Sequence, residues 1–96
     1  MNGRLAGRSL VVVGGTSGLG VSAVRACVRE GARVVAVGRD PDKVRAVVDE
    51  LGVSVRGVVG DAIEPGTALA AIDRAVAEVG RLDGLYHVAG GSGRRR

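Results

Sequence analysis

Aromatic side chains are almost missing from this chain. Among 96 residues there is one Tyr, Tyr86, and no Phe or Trp. Readers of single-stranded nucleic acid stack bases on aromatic platforms, so an RRM-like or OB-like role is not expected. Cysteine is equally scarce. Cys27 stands alone, which rules out an internal disulfide and a cysteine-based zinc site. It reads as a small apolar residue on a helix. Long apolar runs are absent as well. Leu10–Val13 is too short for the hydrophobic region of a secretory signal, and nothing approaches the roughly 18 residues of a membrane span. Without signal, span or disulfide, a reducing cytoplasm is the expected location, with no membrane partner. Lysine is nearly absent too, since Lys43 is the one Lys among 14 basic residues. The net charge of +4 rests largely on Arg94, Arg95 and Arg96, so the body of the chain is close to neutral. Three terminal arginines make few phosphate contacts, so no specific nucleic-acid partner is expected.

What is abundant is small and apolar: 17 Gly, 13 Ala and 19 Val. The length allows one domain, 1–96, burying roughly 60% of its unfolded surface. Short Val-rich runs alternate with helical segments. Ser9–Val13 is continuously apolar after its first residue and ends in three β-branched valines, the mark of a strand buried on both faces. A glycine-rich turn follows. The spacing then predicts a helix over Leu19–Glu30, with Leu19, Ala23, Ala26 and Cys27 on its packed face and Gly31 at its C-terminus. Arg33–Val37 is a second strand. Asp40 as N-cap and Pro41 at the first position open a helix ending at Leu51, with Val44, Val47, Val48 and Leu51 inward. Val53–Val59 is a third strand. Leu69, Ile72, Val76 and Val79 mark the expected face of a third helix, closed by Gly80, and Leu85–Val88 is the fourth strand. Residues 9–90 thus form an ordered β-α-β-α-β-α-β unit, and 91–96 a loop or tail. Helical connections of this length imply right-handed crossovers and a parallel sheet.

Gly18-Leu19-Gly20-Val21-Ser22-Ala23 fits G-x-G-x-x-G/A. The string is weak alone, but here it follows a strand and opens a helix inside a βαβ unit. Glycines let the backbone approach a pyrophosphate, which sits at the helix N-terminus. The competing reading is a glycine turn that closes a βα unit and binds nothing. About 20 residues after the first glycine, a site for NAD carries an acid that binds the ribose 2′-hydroxyl. That count reaches Gly38, which has no carboxylate, and Arg39 follows. A guanidinium pairs with a phosphate through two hydrogen bonds, so NADP(H) is expected over NAD(H). The alternative for Arg39 is a solvated residue ahead of a helix.

Val13-Gly14-Gly15-Thr16-Ser17-Gly18-Leu19-Gly20 resembles TGxxxGxG, the cofactor loop of the short-chain dehydrogenase/reductase family, with Val13 in place of the leading Thr. The resemblance runs along the chain. Arg4–Arg8 is similar to the family's lead-in to its first strand, Gly60-Asp61-Ala62 to its acidic turn, and Leu82-Asp83-Gly84-Leu85 running to Ala89-Gly90 to LDxLxNNAG. His87 and Val88 stand where the two Asn are expected. The resemblance implies that Gly14, Gly18 and Gly20 shape the loop and that Thr16, Ser17 and Leu19 line the phosphate and ribose path. It implies that Asp61 accepts from the adenine amino group, with the Ala62 backbone beside it. Asp61 as a turn former or helix cap is the other reading. Ala89 and Gly90 would pass close to ribose and nicotinamide. His87 reads as a structural substitute.

The implied fold is a Rossmann-type doubly wound α/β sheet, of which four strands in order 3-2-1-4 and three helices are encoded. The implied activity is that of an oxidoreductase acting on a small carbonyl or alcohol in the complete enzyme. Such chemistry needs an acid/base group. The family's Ser and YxxxK find no match, because Tyr86 is followed four residues later by Gly90. Tyr86 reads as strand core, and no catalytic residue is assigned. The alternative function is a non-catalytic dinucleotide-binding module or gene remnant. The fourth strand is left as an open edge, which favours self-association. Replacing Gly38 by Asp is expected to invert the cofactor preference, as read by titration calorimetry with both dinucleotides.

Overall fold

The computed structural model describes residues 3–14 and 16–88. β1 (Ser9–Val13) leads through the glycine turn into α1 (Gly18–Arg29). β2 (Arg33–Gly38), α2 (Pro41–Leu51), a short 3-10 turn (Gly52–Ser54), β3 (Val55–Val59), α3 (Pro65–Val79) and β4 (Gly84–His87) follow. The four strands form one parallel sheet, as the alternating pattern requires, in the order β3-β2-β1-β4 that the resemblance implies. β1 is central, with Val11 opposite Val35 on one side and Leu85 on the other.

The two faces of the sheet are covered by different helices. Leu10, Val12, Val34 and Ala36 pack with Val24 of α1 and Val47 of α2. Val11, Val13, Val35 and Val37 pack with Ala71 and Ala75 of α3. Right-handed crossovers dictate this division, because the path to β4 reverses direction past β1. β2 is buried after its first residue, Arg33. Asp40 caps α2 through a hydrogen bond from the Asp42 N–H at 2.9 Å, and Pro41 occupies its first position. Val53 and Ser54 belong to the 3-10 turn, so β3 begins two residues later than the apolar run suggests. Cys27 is half-buried against the first core, and burial pushes its thiol pKa up.

Two helices present a face other than the hydrophobicity pattern predicts. On α1 the buried residues are Gly20 and Val24, flanked by Val21, Cys27 and Val28, while Leu19 is 76% exposed. On α3 the buried positions are Ala71 and Ala75, and Leu69 and Val76 face outward. Small side chains bring the helix onto the Val-rich sheet, so packing distance decides the face where hydrophobicity alone favours the bulkier stripe. β4 departs from expectation too. It spans Gly84–His87, one residue earlier, and Tyr86 is 52% exposed instead of lying in the core. β4 pairs only with β1 among the described strands, which leaves it an edge.

Asp83 ties β1 to the start of the edge strand β4 at the amino-terminal end of the sheet. Its Oδ2 accepts from the Ser9 N–H at 2.8 Å and from Arg81 Nε at 3.0 Å, and its own N–H donates to the Ser9 carbonyl at 2.7 Å. Ser9 is buried, so its N–H needs this partner. The Ser9 N–H, then Arg81 and the more distant Arg8, hold the Asp83 carboxyl below its ordinary range.

Two predictions test this packing. Ala75→Leu should cost about 1–3 kcal/mol through overpacking, whereas Leu69→Ala should stay within about 0.5 kcal/mol, both read by urea unfolding. Asp83 has a depressed folded-state pKa, so its contribution is present above its unfolded value and lost as pH falls through the folded one. The melting temperature should therefore fall less steeply below about pH 4 in Asp83→Asn than in the parent chain.

Candidate functional site

All β-to-α turns of a parallel sheet emerge at the carboxyl ends of its strands, and ligands bind there where the strand order reverses. Here that point lies between β1 and β4, beside the turns after β2 and β3. A cleft of about 600 Å³ opens along this edge. Gly14, Thr16 and Ser17 line it from the first turn, Gly38, Arg39, Asp40 and Lys43 from the second, and Gly60, Asp61, Ala62 and Ile63 from the third. His87 and Val88 close it beside β4.

The first turn is built for close backbone approach. Gly14 adopts φ +87°, and a β-carbon there would lie 2.8 Å from the Val88 carbonyl oxygen, so both its conformation and its surroundings demand glycine. Its N–H donates to the Val37 carbonyl at 2.9 Å, and the Val88 N–H donates to the Val13 carbonyl at 2.8 Å. The turn is thereby pinned to both strands flanking β1. The Ser17 hydroxyl donates to the Gly14 carbonyl at 2.9 Å and does not cap α1. Among the described residues no side chain caps α1 and its first turn holds no acid, as for α3 but not for α2, which has both Asp40 and Asp42. The first-turn N–H groups of α1 are left to an external acceptor, and an anion suits them.

The second turn supplies positive charge. Arg39, just before the α2 N-cap, and Lys43, in the first turn of α2, are both exposed and both on the cleft, and neither forms an ion pair among the described residues. In the third turn, Asp61 Oδ1 accepts from the Ile63 N–H at 3.1 Å and the Asp61 carbonyl from the Glu64 N–H at 3.0 Å. Asp61 is thus a turn former, and it also faces the cleft. Ile63 is 84% exposed at the mouth of this turn.

Of the residues expected from sequence, Gly14, Thr16, Ser17, Arg39, Asp61 and Ala62 come together on the cleft. Gly18, Leu19 and Gly20 form the first turn of α1 and are not part of the cleft lining; Gly20 is buried and Leu19 is exposed. Ala89 and Gly90 lie outside the described residues. Lys43, Ile63 and His87 were not among the expected residues. Lys43 had a signal in its spacing, four residues past Arg39 on a helix that starts at the cleft edge. Ile63 follows the acidic turn directly. The effect of placing a side chain at residue 38 was also invisible in the sequence: Thr16 packs over Gly38, so Gly38→Asp alone is not a clean exchange.

A switch-point cleft, a glycine turn and an uncapped helix N-terminus define the dinucleotide-binding class of α/β folds. The short chain dehydrogenase family model matches residues 8–96, and the chain belongs to that family. It is 42% identical over 90 residues to 3-alpha-(or 20-beta)-hydroxysteroid dehydrogenase of Mycobacterium tuberculosis, covering 94% of this chain and 35% of the relative. It is 38% identical over 91 residues to momilactone A synthase of Oryza sativa, covering 94% and 33%. Among solved structures, a short chain dehydrogenase from Bacillus anthracis superposes with TM-score 0.81 at 27% identity, over 91% of this chain and 36% of that one. The 3-ketoacyl-(acyl-carrier-protein) reductase from Brucella melitensis, complexed with NADH, gives 0.79 at 30% identity, over 84% and 33%. The chain thus spans about a third of the length of the relatives it matches. No helix among the described residues is long and apolar enough to cross a membrane.

Proposed function

We propose that this chain is a single, partial Rossmann domain over 1–96 that supplies the NADP(H) site of a short-chain oxidoreductase acting on a carbonyl or alcohol. The observation that carries this reading is the second turn: Arg39 faces the cleft without an ion-pair partner among the described residues, and Gly38 places no carboxylate beside it. A carboxylate there would repel a 2′-phosphate and accept from a 2′-hydroxyl, whereas a guanidinium does the reverse.

In this reading Gly14, Gly18 and Gly20 keep the first turn low and the α1 N–H groups accessible to the pyrophosphate. Thr16, Ser17 and Leu19 flank the phosphate and ribose path. Asp61 accepts from the adenine amino group through an oxygen not used in its own turn, and the Ala62 backbone lies alongside. Ala89 and Gly90 approach the ribose and nicotinamide. A bound nicotinamide supplies or takes up a hydride. The proton that accompanies it needs an acid/base group that is not assigned to any of these 96 residues. A dinucleotide-binding module without turnover is the second reading, in which the cleft binds the cofactor and these residues carry no further chemistry. The cytoplasm is the proposed location, and the β4 edge the proposed surface of self-association.

Titration calorimetry should give tighter binding of NADP+ than of NAD+. Arg39→Gln should weaken NADP+ roughly tenfold to a hundredfold and leave NAD+ nearly unchanged. Equal loss for both dinucleotides would remove Arg39 from its assigned role. The pure chain should bind NADPH without reducing a panel of carbonyl compounds. In light scattering the chain should run as species larger than its 9.7 kDa, and a monodisperse monomer would count against the edge contact.

A further inference from the structure

Gly38 ends β2 with a backbone conformation open to any residue, since its φ is not among the positive values found at Gly7, Gly14, Gly31, Gly52 and Gly80. What excludes a side chain there is one neighbour. A β-carbon at residue 38 would lie 2.9 Å from Thr16 Cγ2, 3.1 Å from Thr16 Cβ, and closer still to Thr16 Oγ1. No atom of another residue ranks among the three nearest.

Rotation about χ1 of Thr16 does not relieve the crowding. The three staggered positions on its Cβ are shared by Oγ1 and Cγ2, and two of those positions are the crowded ones. Two heavy atoms distributed over three positions always leave at least one in a crowded position. A serine carries one heavy atom and can turn it into the third position. An alanine carries none.

We propose that β-branching at residue 16 is a specificity determinant of the cleft: the Thr16 side chain holds residue 38 to glycine and so keeps out the carboxylate that would select a 2′-hydroxyl. The steric part stands on geometry alone. The cofactor part rests on the NADP(H) reading above. Thr16 is a positioning residue in this role, since it acts through what residue 38 is able to carry.

The test is a double-mutant cycle on the whole chain with two readouts. In thermal melts, Gly38→Ala should lower the midpoint by at least about 5 °C. Thr16→Ala and Thr16→Ser should each restore most of that loss when combined with it, and Thr16→Val, which keeps the branch, should not. Additive effects in all three combinations would overturn the steric coupling. In calorimetry, Thr16→Ser with Gly38→Asp should bind NAD+ at least tenfold better relative to NADP+ than the parent does. Gly38→Asp alone should bind both weakly or fail to fold. A complete switch by Gly38→Asp alone, without loss of stability, overturns the proposal, and so does failure of the Thr16→Ser/Gly38→Asp chain to fold or to shift the ratio. If the parent binds neither dinucleotide, the NADP(H) reading fails, while the melts still decide the coupling.

Discussion

The rest of the structure depends on the burial of β1 from every direction. Its five residues are all buried, with Val11 and Val12 fully so. Strands pair with it on both edges and helices cover both its faces. A backbone in that position must satisfy its N–H and C=O groups within the protein, through Asp83 at Ser9 and through sheet bonds elsewhere, because water cannot reach it. The parallel arrangement supplies those bonds and forces the chain to leave each strand at the same end. The glycine turn, the Arg39 turn and the Asp61 turn share one cleft for that reason, and not because they attract one another.

The opposite end of the sheet is organised for stability. Asp83 joins the first residue of β1 to the start of β4 through backbone and side-chain bonds, and Arg81 also reaches the Gly7 carbonyl at 3.0 Å. Polar groups at the amino-terminal end are thus satisfied internally. At the carboxyl-terminal end the first turn of α1 has no side-chain cap and two cations have no anionic partner among the described residues. This asymmetry follows from parallel topology, which leaves helix N-termini and loop freedom at one end only.

Much of the fold was legible in the order of residues. β1 matched its predicted bounds, β2 and α2 came within a residue, the parallel pairing followed from alternation, and the sheet order from the family resemblance. The legible elements were those whose local signal was chemically specific: Asp40-Pro41 as a helix start, and a continuous Val run as a strand buried on both sides. The faces of α1 and α3 were not legible, because glycine and alanine carry little hydrophobicity yet win the contact through close approach. Tyr86 was misread for a related reason. Burial of a strand residue depends on what lies beyond the strand, and β4 has a neighbour on one side only among the described strands.

At the cleft, the sequence by itself determined the chemistry of each turn. It provided glycines where the backbone must approach a ligand, a glycine where an acid would otherwise stand with an arginine next to it, and a carboxylate after the third strand. Spacing along the chain was enough for this, because each turn is a local feature. Tertiary structure alone decided which residues share a surface. It drew Lys43, Ile63 and His87 to the same cleft as Thr16 and Arg39, and turned Leu19 away from it. It alone laid Thr16 over Gly38, residues 22 positions apart in sequence that no local rule connects. The physical reason is that steric exclusion acts through space at a few ångströms, and only the packed sheet brings the first and second turns that close.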